Sequence, residues 1–65
     1  MKYKVELIFI DEESDKKDVS YFTYVEAPNV EAAIAAAKSK QEFERPDLSS
    51  INRWASNAFP TNEES

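Results

Sequence analysis

The acidic run Asp11, Glu12, Glu13, Asp15 and Asp18 comes nearest, in residue type and spacing, to a chemical site in this sequence. Calcium takes six to eight oxygen ligands, and Asp11, Glu13 and Asp15 fall at the first, third and fifth positions of a calcium-loop count. The count then fails. Its sixth position is Lys16, where the sharp turn needs glycine, and its twelfth is Phe22, where a bidentate Glu belongs. A solvated acidic loop without a metal is expected. Ser14–Lys17 and Ser39–Lys40 hint at a Ser–Lys arrangement, but both sit in polar surroundings that keep Lys protonated and unable to act as a base. Thirteen acids could supply a carboxylate pair for acid–base work. Such a pair needs an enclosing pocket to drive its two pKa values apart, and no pair here is marked as buried.

The chain has no His, no Cys and no Gly. Without His it lacks the usual general base near neutral pH and the commonest transition-metal ligand. Without Cys there is no thiolate nucleophile, sulfur metal site or disulfide. Without Gly there is no phosphate-cradling loop, because a Cβ obstructs the backbone approach. These absences point away from an enzyme and predict no cofactor and no metal.

Sixty-five residues, 42 % of them apolar, make one small domain. Such a chain buries only ~60 % of its unfolded surface, too little for a deep cleft. We place the domain at residues 1–60 and read 61–65 as a polar tail. The formal net charge is −5, from 13 acids against 8 bases. That opposes a strongly basic nucleic-acid binder. No run approaches the ~18 apolar residues of a membrane span. The opening Met1-Lys2-Tyr3-Lys4 alternates at once and does not read as a secretory signal, so the expected compartment is the cytoplasm.

The elements follow from periodicity. Tyr3, Val5, Leu7 and Phe9 alternate with Lys2, Lys4 and Glu6, which is a strand. Residues 11–18 are polar and form a loop. Residues 19–27 are β-branched and aromatic, a second strand antiparallel to the first. Pro28 ends it, and Asn29 is placed to cap a helix from Val30 to about Glu44. Val30, Ala33, Ile34 and Ala37 form its main apolar stripe, with Ala32, Ala36 and Phe43 a weaker one. Glu31 near its start and Lys38, Lys40 and Arg45 toward its end suit the helix dipole.

Pro46 stops the helix. Leu48, Ile51, Trp54, Ala55, Ala58 and Phe59 then recur at helical spacing, predicting a short second helix capped by Asp47 and ended by Pro60. A third strand is the alternative. Its alternation is poor, because Arg53 and Asn57 would share a face with Ile51 and Phe59. The fold class is therefore α+β: an antiparallel β-hairpin packed on one Ala-rich helix, followed by a short second helix or a third strand.

The hairpin is apolar on both sides. With Val19 paired to Phe9, one face carries Tyr3, Val5, Leu7, Phe9, Val19, Tyr21, Thr23 and Val25. The other carries Lys2, Lys4, Glu6, Ile8, Ile10, Phe22 and Tyr24. A one-residue slip would exchange the second strand's sets. One helix cannot cover both faces, so the outer one meets either the C-terminal segment, with Trp54 and Phe59 folded back across it, or a partner. The candidate partner-binding residues are Ile8, Phe22 and Tyr24 on the face and Asp11, Glu12 and Glu13 at the tip. The expected partner is a protein, and a basic or nucleic-acid-binding site on it would suit the acidic charge of this chain; a homodimer through the same face competes. A single-strand RNA platform is a distant third, opposed by Glu6, Glu26 and the net charge.

The join Tyr24-Val25-Glu26-Ala27-Pro28-Asn29-Val30-Glu31-Ala32-Ala33-Ile34 runs a strand through a polar cap into an Ala-rich helix. In this join and in size the chain resembles the small phage inhibitor of bacterial RNA polymerase. In its short, acidic, single-domain character it is similar to anti-CRISPR proteins. The resemblance covers roughly residues 19–38. It implies a phage or mobile-element inhibitor of a host complex, and it assigns no functional residue.

Overall fold

The computed structural model describes residues 1–11 and 18–62. Strand β1 (Lys2–Phe9) pairs antiparallel with β2 (Val19–Glu26) in the register Phe9↔Val19 through Lys2↔Glu26. This is the first of the two registers considered above. It places Tyr3, Val5, Leu7 and Phe9 on one face with Tyr21, Thr23 and Val25, all buried. Helix α1 (Val30–Glu44) lies on that face and touches all three strands.

The helix starts where the sequence places it. Asn29 is extended, and its side chain accepts a hydrogen bond from the Ala32 backbone N–H at 2.8 Å. Ala33 and Ala37 are fully buried, so the helix backbone lies close over Val5, Leu7 and Phe9. The rest of the two expected stripes divides. Ile34, Ala32 and Ala36 pack partly against the core, whereas Val30 and Phe43 are exposed. The last turn of α1 holds no basic residue. The dipole's influence fades within one turn, so Lys38 and Lys40 serve other contacts.

The second helix expected over 48–59 does not form. A short 3-10 turn (Pro46–Ser50) follows α1 and buries Leu48. Strand β3 (Trp54–Pro60) then pairs antiparallel with the free side of β1, from Phe9↔Trp54 to Tyr3↔Pro60. This is the alternative third strand. Asp47 does not cap a helix. It accepts from the Arg45 guanidinium at 3.1 Å and 3.0 Å, a bidentate pair. The sheet order is β2-β1-β3. Strands β2 and β3 run the same way on either side of β1, and only a crossover such as α1 can join them. The ladder continues past the strand ends through Ile10 N–H to Arg53 C=O at 2.9 Å and Thr61 N–H to Lys2 C=O at 3.0 Å.

Helices commonly end on a glycine in the left-handed region, and this chain has none. Among the described residues no φ is positive. The exit from α1 is built from the buried Gln41 instead. Its backbone carbonyl accepts the Arg45 N–H at 2.7 Å, and its side-chain Nε2 donates to the Arg45 carbonyl at 2.7 Å and to Ser49 Oγ at 3.4 Å. Its Oε1 accepts from Lys38 Nζ at 2.8 Å. An amide offers two donors and one acceptor oxygen, and here both ends are engaged.

Candidate partner-binding face

Pairing β3 to β1 sorts its side chains between the two faces. Trp54, Ser56, Ala58 and Pro60 lie opposite the buried residues of β1, on the helix side. The Trp54 and Phe9 rings stand 6.3 Å apart, and Lys38 Nζ reaches both, at 5.4 Å and 5.5 Å from their centroids. Lys38 also pairs with Glu42 at 3.6 Å. A cation over two ring faces thus closes the Phe9 end of the core.

The outer face receives Ala55, Asn57 and Phe59 from β3. They lie opposite Ile8, Glu6 and Lys4, which in turn lie opposite Ser20, Phe22 and Tyr24 of β2. The C-terminal segment therefore widens this face and does not fold across it. Phe22 is 55 % exposed and Phe59 54 % exposed. Ile8 and Tyr24 are partly buried, being flanked by neighbouring strands or, for Tyr24, by Lys4.

Lys4 is the centre of this surface. Tyr24 and Phe59 stand directly opposite it on the two neighbouring strands. Its Nζ sits 5.8 Å from the Phe22 ring centroid, in cation–π range. Both acids of the face have partners of their own. Glu6 Oε1 accepts from Asn57 Nδ2 at 3.5 Å, and Glu26 lies 3.4 Å from the Met1 ammonium.

Of the six candidate residues, the structure brings Ile8, Phe22 and Tyr24 onto one face. Asp11 lies beyond the end of β1 and is partly buried. Glu12 and Glu13, with half of the calcium-like count, lie outside the described residues. Among the described residues no cluster of three or more His, Cys, Asp or Glu could hold a metal. The face residues not singled out from sequence are Phe59, Asn57 and, as a centre, Lys4. Phe59 and Asn57 were assigned to a helix. The run Ser56-Asn57-Ala58-Phe59 does not alternate in polarity, so no periodicity in the sequence places them on a strand.

The titrations displaced from their ordinary values lie elsewhere. Burial raises the Tyr21 phenol, aided by its hydrogen bond to the Glu44 carboxylate. At the surface, the Arg45 hydrogen bond holds Asp47 below the usual carboxylate range. Neither arrangement pairs a base with a nucleophile.

Comparison with protein-family models, curated proteins and solved structures gives no match for this chain. No helix among the described residues is long and apolar enough to cross a membrane.

Proposed function

We propose that this is a small acidic, non-enzymatic protein-binding module, working in the cytoplasm as a phage or mobile-element inhibitor or modulator of a host complex. The observation that carries the binding reading is the outer sheet face. Phe22 and Phe59 present more than half their surface there beside Tyr24 and Ile8, and the helix is committed to the opposite side. Rigid aromatic groups on a flat surface are the usual anchors of an interface. The phage origin rests on the resemblance of the strand–cap–helix join and on the chain's size and acidity. The acidic run from Asp11 to Asp18 steers approach, its summed charge acting at long range.

Size favours a larger partner over a second copy. A face of three strands, the central one 8 residues long, spans about 26 Å by 14 Å, on the order of 400 Å². Stable interfaces bury about 800 Å² on each side. Two copies face to face fall short, whereas a larger protein can reach beyond the sheet.

The test is affinity capture from host lysate, run beside light scattering. A monomer whose captured protein is lost with Phe22→Ala and Phe59→Ala, at unchanged melting temperature, is the expected outcome. Neutralising Asp11, Glu12 and Glu13 should slow association with that protein in low salt more than in high salt. A dimer dissociated by the same face variants would replace this reading with the homo-oligomer.

A further inference from the structure

The open face is electrostatically unlike the rest of the chain. The molecule carries −5, yet the face is cationic at one end. Its two acids are engaged, Glu6 by Asn57 and Glu26 by the Met1 ammonium. Among the described residues neither Lys2 nor Lys4 has a carboxylate within ion-pair distance, and the contact recorded for the Lys4 ammonium is the Phe22 ring. An ammonium over an aromatic face keeps its charge and still has donors to give. Phe22, Tyr24 and Phe59 surround it and shield it from water once a ligand covers them, which strengthens any ion pair made there.

From this we infer that the open face takes up a peptide segment of the partner in which an Asp or Glu is flanked by apolar side chains. The inference rests on the binding reading above. The carboxylate meets Lys4 Nζ, and its apolar neighbours lie on Phe22 and Phe59. A nucleic-acid strand offers the same anionic charge with stacking bases. It also carries a charge at every nucleotide, which the chain's net −5 repels, whereas a single carboxylate needs only the local field.

Random dodecapeptide display panned against the immobilised full chain tests this. Enriched peptides are then synthesised, and their affinities measured by fluorescence anisotropy beside a labelled oligouridylate. The expected enrichment is Asp or Glu adjacent to Phe, Leu or Ile. Affinity should fall about tenfold or more with Lys4→Glu, fall with Lys4→Met, and persist with Lys4→Arg. Melting curves establish that each variant is folded. Face-dependent peptides that are basic or uncharged, and indifferent to Lys4→Met, overturn the inference and leave the binding face standing. Preferential binding of oligouridylate also overturns it. Failure to enrich any peptide sensitive to Phe22→Ala or Phe59→Ala overturns both the inference and the reading beneath it.

Discussion

On the helix side of the sheet Val5, Leu7 and Phe9 are wholly buried beneath Ala33 and Ala37, whereas their outward neighbours Lys4, Glu6 and Ile8 are only partly covered. The same strand supplies both sets, one residue apart. The inner set makes the fold, because apolar area removed from water there has no other source in so small a chain. Phe22 and Phe59, more than half exposed, add little to the core and leave much of their apolar surface in water. The contrast separates residues that hold the protein together from residues available to bind.

Substitutions divide along that line. Leu7→Ala should have the largest effect, about 2–5 kcal/mol, from lost transfer energy and the cavity left behind. A 65-residue domain holds roughly 3–10 kcal/mol in total. The variant should therefore be largely unfolded by circular dichroism, and a native melt would place Leu7 outside the core. Gln41→Ala should cost about 1–3 kcal/mol, because a fully buried side chain loses its hydrogen bonds to the Arg45 carbonyl and to Lys38 Nζ. Chemical denaturation reads that loss, and an unchanged midpoint would mean that the exit does not depend on the clamp.

Asn29→Ala should cost about 1 kcal/mol through the lost acceptor for the Ala32 N–H. In a domain this small that is several degrees of melting temperature.

Tyr21 supplies a pH test of the inner face. Its folded pKa lies above the unfolded value near 10, so the folded state holds its proton longer. The contribution is fully present below the unfolded pKa and is lost as pH rises through the folded one. Wild type should lose stability at alkaline pH more steeply than Tyr21→Phe, compared in parallel melts. Equal slopes would detach the phenol from the fold.

Phe22→Ala and Phe59→Ala should have the smallest effect on stability, within about 0.5 kcal/mol each, as for surface positions elsewhere. Their effect on a bound partner should be about 1–4 kcal/mol, mainly as faster dissociation. If either variant unfolds the protein, the division between the faces is broken.

The hairpin was legible because period two is written plainly in Tyr3, Val5, Leu7 and Phe9; its register was not, because Val19, Tyr21 and Val25 on one side and Phe22 and Tyr24 on the other are both apolar enough to face the helix, and the pairing Phe9↔Val19 comes from the structure. Asn29 and Pro46 marked the helix ends by local chemistry. Strand β3 was not legible as first choice. Trp54, Ala55, Ala58 and Phe59 imitate helical spacing, and Ala, Ser and Asn have little strand preference of their own. The ladder with β1 overrides them. The mixed face of Asn57 and Phe59 seemed to oppose a strand, yet a face open to water tolerates polar and apolar residues side by side. Gln41 was missed because it is polar, although it continues the stripe of Ile34 and Ala37 at helical spacing. The candidate face was half legible, through Ile8, Phe22 and Tyr24. Its β3 half and the central place of Lys4 required the pairing.

The sheet order has a kinetic consequence. β1 is the central strand and, of the three, the first to be synthesised, while β3 is the last. The hairpin can close early, as a local event, but Leu7 and Ser56 meet only after the intervening chain has been ordered. Loop-closure entropy is then lost before the distant contact returns anything, which slows folding relative to a chain of local contacts. Until β3 arrives, one edge of β1 is an open template for a neighbouring chain. During that interval the nascent protein is most exposed to aggregation, and rapid docking of α1 and β3 is what ends it.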